Sequence, residues 1–189
     1  MRATMRTSLT ATAKRHGWKV CGAVFVALAW ALPLSAQLAV YTDSLQNGFS
    51  DWSWATRNLA QTSVVRSGSA AISFEPDGWG GLFFHRDGGL SGAEYEAIEL
   101  WVRGSGAGGQ DVTVAVLVGG TPAGSAPLAG FVEGGAVPAG SWAKATVPFS
   151  ALGLSTGTWD GLWLQDATGG NQATLYVDDV RLLARTSPP

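Results

Sequence analysis

The chain has 189 residues, of which 46% are hydrophobic and only 14% are charged, and its formal net charge is −2. Five of the twelve Lys and Arg residues and none of the fourteen acidic residues lie before residue 37, so the remainder carries a net charge of −7. This acidic balance excludes nucleic acid and anionic lipid as partners, because both attract basic surfaces, and it leaves neutral ligands open.

Residues 1–36 are predicted to be a cleaved secretory signal peptide. A basic stretch precedes an apolar run from Val20 to Leu34, and Ser35 and Ala36 supply small residues for cleavage before Gln37. The run is shorter than the roughly 20 residues that span a bilayer, so an uncleaved membrane anchor is the less favoured alternative. The mature protein is therefore expected to be secreted, extracellular or at the cell surface, with no stable membrane insertion.

The mature chain is expected to form one domain, from residue 37 to residue 183. The only cysteine, Cys21, lies in the leader, so no internal disulfide can form. About 150 residues are nevertheless enough to bury a self-sufficient core. Residues 184–189 end in Ser-Pro-Pro and are predicted to be a disordered tail.

Short apolar runs separated by glycine and proline predict many strands and no helix. Turns are expected at residues 104–109 and 119–124. This pattern is typical of an all-β fold with two packed antiparallel sheets, a β-sandwich. The predicted strands, in chain order, are Leu38–Thr42, Asp51–Thr56, Ala70–Glu75, Gly81–His85, Ala97–Arg103, Asp111–Val118, Trp142–Pro148, Gly161–Gln165 and Thr174–Leu183.

Two of these strands alternate aliphatic residues with tryptophan and polar residues. Because strand side chains alternate between faces, one strand places Trp101 beside Arg103 on its outer face, and the other places Trp163 beside Gln165. A tryptophan left in water forfeits burial energy, so an outer face of this kind indicates a binding surface. If both strands lie in one sheet, the four side chains form a single sugar-binding platform.

Three segments, in order, resemble the strands of jelly-roll carbohydrate-binding modules of the galactose-binding-like superfamily. They are residues 67–74 (SGSAAISF), residues 142–153 (WAKATVPFSALG) and residues 174–182 (TLYVDDVRL). The resemblance extends from about Tyr41 to Leu183. It implies a jelly-roll sandwich and a non-catalytic module that binds a polysaccharide or oligosaccharide.

Two further segments, residues 51–54 (DWSW) and 165–170 (QDATGG), resemble modules of secreted bacterial polysaccharide-acting proteins. Such modules usually accompany an enzyme, which for this chain would be a partner in trans. The alternatives are a structural or adhesive β-sandwich protein of the cell envelope and, less favoured, a glycoside hydrolase or lyase.

Sugar rings have apolar C–H faces and a rim of hydroxyl groups, so their binding sites combine aromatic rings with polar side chains. Trp142 is expected to be structural, and Trp159 is assigned to neither the core nor a site. Any of the other tryptophans could instead be packed in the core or under a loop. The predicted carbohydrate-binding residues are Trp52, Trp54, Trp79, His85, Trp101, Arg103, Trp163 and Gln165.

Catalysis is not expected. His85 is the only histidine beyond residue 36, so the chain lacks the members of a histidine-rich metal site, and no Ser-His-Asp set is evident. A pair of catalytic carboxylates remains possible by count alone, but no motif places two acids across a cleft.

The resemblance also implies a structural Ca²⁺, because related modules bind one with an aspartate of the closing strand. Here the candidates are Asp178 or Asp179, together with Asp43 at the end of the first strand. Calcium prefers six to eight hard oxygen ligands. The alternative is a charged strand edge that prevents sheets from associating.

Overall fold

A computed structural model describes residues 37–186 and shows an all-β domain. The predicted signal peptide lies outside the described residues. Within residues 37–186, no helix is long and apolar enough to cross a membrane. The strands are β1 (Gln37–Tyr41), β2 (Phe49–Asp51), β3 (Arg57–Gln61), β4 (Ala71–Phe74), β5 (Gly81–Ser91), β6 (Tyr95–Gly104), β7 (Val112–Val118), β8 (Thr121–Pro127), β9 (Ala143–Pro148), β10 (Thr158–Asp166) and β11 (Leu175–Ala184), with two 3-10 helices, Leu128–Phe131 and Phe149–Leu152.

The strands form two antiparallel sheets, which confirms the predicted β-sandwich. Sheet A has the order β3-β4-β11-β6-β9, and sheet B has the order β2-β5-β10-β7-β8. The ten-residue β11 pairs with β4 along its first half and with β1 along its second half. The first and last strands are therefore neighbours.

The core lies between the two sheets and is built by alternating side chains. Leu82 and Phe84 of β5 point inward, as do Ile98 and Leu100 of β6, and each is at most 2% exposed. Trp159 also belongs to this core, at 1% exposure. Leucine, phenylalanine and tryptophan each gain about 1.5–3 kcal/mol or more on full burial, so this interior stabilises the sandwich.

One strand prediction and one turn prediction were wrong, because composition alone did not distinguish a connection from a strand. The predicted strand Asp51–Thr56 is instead a connection between β2 and β3. The predicted turn at 119–124 is a hairpin whose second strand, β8, begins at Thr121. Only Gly119 and Gly120 form that turn, with φ of 60° and 76°, a region that favours glycine.

The predicted tail begins later than residue 184. β11 continues to Ala184, and the Arg185 N–H donates to the Glu94 carbonyl at 2.9 Å. The last strand of the sandwich therefore begins and ends one residue later than predicted, with the same length of ten residues.

Candidate functional site: the aromatic surface of sheet B

The predicted four-residue platform does not form. Trp101 and Arg103 lie on β6 in sheet A, whereas Trp163 and Gln165 lie on β10 in sheet B. The inner faces of the two sheets pack together, so their outer faces point in opposite directions. Alternation identifies the outward side chains of a strand but not the sheet to which the strand belongs, and this is why the prediction was wrong.

The outer face of sheet B carries a group of contacting rings, which together with the neighbouring Trp79 is here called the aromatic surface. Three of its tryptophans are the most exposed large hydrophobic side chains of the described domain, with exposed fractions of 55% for Trp52, 47% for Trp54 and 56% for Trp79. Large rings are normally buried, so three adjacent exposed indoles mark this face. The aromatic surface consists of Trp52, Trp54, Trp79, Phe83, His85 and Trp163.

The connection after β2 places Trp52 and Trp54 on the same side of sheet B. The Trp52 N–H donates to the Phe83 carbonyl at 2.9 Å, and the Trp54 N–H donates to the Gly81 carbonyl at 3.0 Å. The two N–H donors are two residues apart, and so are the two carbonyl acceptors, as they are when one strand pairs with the edge of another. Both indoles therefore project outward beside β5 and share a face.

Trp52 rests on His85. The two rings are stacked, with centroids 3.8 Å apart and planes 23° apart, and Trp52 meets Phe83 edge-on at 6.0 Å. His85 Nε2 lies 3.1 Å from the Asp87 carboxylate. His85 therefore supports one side of Trp52 and leaves the other side of the indole to solvent.

Trp54 is held by Trp163 and Trp79. Its ring meets Trp163 edge-on at 5.4 Å, and its Nε1–H donates to the Trp79 carbonyl at 2.8 Å. The Gln165 amide donates to the same carbonyl at 3.1 Å. Trp163 and Gln165 thus fix the positions of more exposed rings, although the sequence analysis expected them to meet the ligand directly.

Three glycines allow these rings to lie close to the backbone. An added Cβ at Gly81 would lie 2.4 Å from the Trp54 ring, and one at Gly169 would lie 2.7 Å from the Trp79 ring. The interior glycine of β10, Gly161, faces Phe83 in the same way, at 2.5 Å. A glycine inside a strand often marks such a close approach, so this signal was readable in the sequence.

Trp79 has a left-handed backbone (φ 66°), which is uncommon for a residue other than glycine. Its N–H donates to the Asp166 carboxylate at 2.8 Å, and Gly169 N–H donates to the same group at 2.7 Å. Thr168 and Gln172 also donate to Asp166. Asp166 is only 1% exposed, so this carboxylate joins the Trp79 loop to the loop after β10.

Asp166 remains ionised over most of the pH range. Its burial alone would raise the pKa, but N–H donors from Thr168 and Trp79 outweigh that effect and lower the pKa to about 2. A second link reinforces the junction, because the Gln172 N–H donates to the Asp77 carboxylate at 2.6 Å. Sequence analysis missed Asp166, since a single aspartate after a strand carries no distinctive signal.

The Trp101 ring, on the outer face of sheet A, is covered by another side chain. The Arg66 guanidinium lies 3.7 Å from its ring centroid and also forms an ion pair with Asp179. Arg103, the expected polar partner of Trp101, is half-buried on the same face. One face of the Trp101 indole is therefore already occupied by a cation–π contact.

The three predicted calcium ligands contact the loop between β3 and β4. Asp43 accepts N–H bonds from Ser69 and Ala70 at 2.6 and 2.9 Å, and these bonds lower its pKa. Asp178 accepts the Arg66 N–H at 3.0 Å, and Asp179 pairs with the Arg66 side chain.

N–H groups and the Arg66 guanidinium of that loop engage all three carboxylates. Burial raises the pKa of Asp178, although its N–H donors oppose that effect. Residues 37–186 contain no group of three or more His, Cys, Asp or Glu residues placed to hold a metal ion. The calcium site stays a prediction from the resemblance alone.

The fold is similar to that of solved carbohydrate-binding modules. A variant of a family 29 carbohydrate-binding module superimposes with a TM-score of 0.52 and 15% identity, over 78% of this chain and 91% of that one. Other variants of that module, described as complexes with mannohexaose and with cellulohexaose, give TM-scores of 0.53 and 0.52 at 14% and 15% identity. At these identities the similarity establishes the fold.

A curated relative is closer in sequence. An endoglucanase of Dictyostelium discoideum is 31% identical over 144 residues, which cover 76% of this chain. The chain spans about 20% of the length of that relative. No protein-family profile matches the chain.

Proposed function

We propose that this domain is a non-catalytic carbohydrate-binding module that holds a neutral polysaccharide on the aromatic surface of sheet B. The single observation that carries the proposal is the exposure of Trp52, Trp54 and Trp79 on one face. Each indole offers a flat apolar area to the C–H face of a sugar ring. Stacking on several rings, with hydrogen bonds at the edges, gives binding without any chemical step.

The order of the rings suggests how the polysaccharide lies. Trp52 is level with His85, Trp54 is level with Gly81, and Trp79 follows just before the start of β5. The three indoles therefore follow one another along β5. An extended glycan chain would run beside this strand and contact the rings in turn.

The aromatic surface is preorganised for binding. Trp54 is fixed by the Trp79 carbonyl, and the Trp79 loop is fixed by Asp166. Ordering a side chain on binding costs about 0.5–1.5 kcal/mol, and rings that are already ordered avoid much of that cost. The hydrogen bonds beneath the aromatic surface thus serve binding as well as stability.

The comparisons support the same proposal. The structural relatives include modules described as complexes with mannohexaose and cellulohexaose, and the sequence relative is an endoglucanase. The 144 aligned residues account for a fifth of that enzyme, which is the size of an accessory segment. We infer that this domain works beside a polysaccharide-degrading enzyme, as a partner in trans, and that it is exported to reach its substrate.

A retention panel tests the proposal. The full chain would be run through native gels containing neutral glycans, such as hydroxyethylcellulose and mannan, and an acidic glycan, polygalacturonate, for comparison. We expect retardation by at least one neutral glycan and none by polygalacturonate, because the domain is acidic. Unretarded migration in every gel, with native folding shown by circular dichroism, would overturn the proposal.

A further inference from the structure

A second concave site lies on the opposite side of the sandwich, on the outer face of sheet A. Strand register places Asn58 of β3, Ser73 of β4 and Tyr176 of β11 side by side in one row. Their inward neighbours, such as Ile72 and Val177, are fully buried, so this row faces outward. Around it is an open cleft of about 320 Å³, lined by Thr56, Arg57, Asn58, Gln61, Ser63, Ser73, Phe74, Glu75, Thr174 and Tyr176.

The cleft collects hydrogen-bonding groups that have no partner in the described part of the chain. The side chains of Ser73, Glu75, Thr174 and Tyr176 form no hydrogen bond or ion pair with residues 37–186. Polar surface groups normally point into water in different directions. Here they converge on one concavity, which is the arrangement that a polar ligand needs.

Other side chains make the wall of the cleft rigid. Arg57, the first residue of β3, forms an ion pair with the Asp51 carboxylate at 2.7 Å. The buried side chain of Gln61, the last residue of β3, forms hydrogen bonds with Ser63 and Val64 and so fixes the other end of the strand. Gln61 is only 7% exposed. The cleft is therefore shaped before a ligand enters it.

The chemistry of the lining selects a class of ligand. Arg57 is already paired with Asp51, so Glu75 is the one uncompensated charge of the lining, and the cleft does not favour an anionic ligand. Hydroxyl and amide groups at its rim suit a ligand rich in hydroxyls, and the half-exposed ring of Tyr176 offers an apolar surface for C–H groups. A neutral sugar combines these two properties.

We propose that this cleft is a second carbohydrate site, which holds a short segment or the end of a glycan chain. Its volume lies near the lower limit of small-molecule sites, which is about 300 Å³. The ligand class rests on the proposed function, whereas the site itself does not. Because the two sites lie on opposite sheets, one domain would bridge two polysaccharide chains, and attachment through both sites would strengthen the overall binding.

Nuclear magnetic resonance on the isotope-labelled full chain separates the two sites. Mannohexaose and cellulohexaose would be titrated into wild type and into Trp54→Ala, whose aromatic surface is impaired. We expect saturable shifts at the Ser73 and Tyr176 amides in both proteins. In the double variant with Tyr176→Ala the Ser73 shifts are expected to be lost, while Thr146→Ala, elsewhere on sheet A, should retain them.

Glu75→Gln keeps the shape of the cleft and changes only its charge, so it provides a test that does not remove a ring. We expect the ligand to bind the cleft of this variant at least threefold more weakly. Absence of shifts at the cleft with both probes would overturn the second site, whatever happens at the tryptophans. The indole signals of Trp54 and Trp79 report separately on the proposed function.

Discussion

Both outer faces of this sandwich carry tryptophan, but the indoles are exposed on sheet B and covered on sheet A. On sheet B, Trp52, Trp54 and Trp79 are each about half-exposed. On sheet A, the outward Trp101 is covered by Arg66, and the outward Glu99 is 7% exposed and bonded to Arg181. One face presents rings to solvent, whereas on the other Trp101 and Glu99 are each engaged by an arginine.

The difference teaches that a tryptophan facing outward is not enough to define a binding site. An indole with a guanidinium on its face already has a cation–π partner, worth about 0.5–2 kcal/mol, which a sugar would have to displace. An indole supported from beneath by other rings keeps one face open. The supporting residues, rather than the tryptophan itself, therefore distinguish sheet B from sheet A.

The largest expected effect on glycan binding comes from replacing a tryptophan of sheet B by alanine and comparing it with the same replacement on sheet A. Trp54→Ala removes the central ring of the aromatic surface, and we expect about 30-fold weaker glycan binding, equivalent to about 2 kcal/mol. Isothermal titration with the best-retained glycan measures it.

Trp101→Ala is the matched control for Trp54→Ala, since it removes an indole from sheet A. It should change the affinity of the aromatic surface less than twofold. If the effects of the two substitutions were reversed, the assignment of the site to sheet B would be wrong.

A smaller loss is expected from Asp166→Asn, which weakens the junction beneath Trp79. The variant keeps one acceptor oxygen but turns an N–H group toward donors, so we expect about tenfold weaker binding and about 2 kcal/mol lower stability. Asp111→Asn, on an exposed side chain nearby, serves as the control. Equal affinity of Asp166→Asn and wild type would show that the Trp79 loop needs no such support.

The same junction predicts an acid limit. The pKa of Asp166, about 2 in the fold, lies below the ordinary value of about 3.9 for an unfolded aspartate. Its stabilising contribution is therefore complete above about pH 4 and is lost as the pH falls toward 2. Melting curves between pH 2 and pH 7 should show this loss in wild type, and a smaller one in Asp166→Asn.

A still smaller effect is expected at the glycine under Trp54. Gly81→Ala places a Cβ where the indole lies, and the exposed ring can move away, so stability should change little. Displacement of the ring should weaken binding about threefold, roughly 0.7 kcal/mol. Gly130→Ala, where an added Cβ meets nothing within 4 Å, is the control for the substitution itself. A fall in stability without a fall in affinity would contradict this role for Gly81.

The smallest expected effect concerns calcium and the loop between β3 and β4. Because N–H groups and Arg66 already occupy Asp43, Asp178 and Asp179, we expect the same melting temperature in excess Ca²⁺ and in EDTA. A rise of several degrees with calcium would show that these carboxylates rearrange around the ion. That result would support the calcium site that the resemblance implies.

The sequence analysis predicted the fold well because its signals are local. Alternation, turn residues and the closing-strand motif indicated a two-sheet sandwich, which the structure has. The eight predicted site residues included Trp52, Trp54 and Trp79, the three exposed indoles. The local signals failed at residues 51–56, where the last residue of β2 and the connection to β3 have the composition of a strand.

What the sequence by itself determined was which side of each strand faces the core, because the two-residue period of a strand is a property of the backbone. Only the tertiary structure decided which sheet each strand joins, and with it the separation of Trp101 from Trp163. Pairing between distant strands depends on contacts that no local pattern contains. The covering of Trp101 by Arg66 and the anchoring of Trp79 by Asp166 follow from those contacts alone.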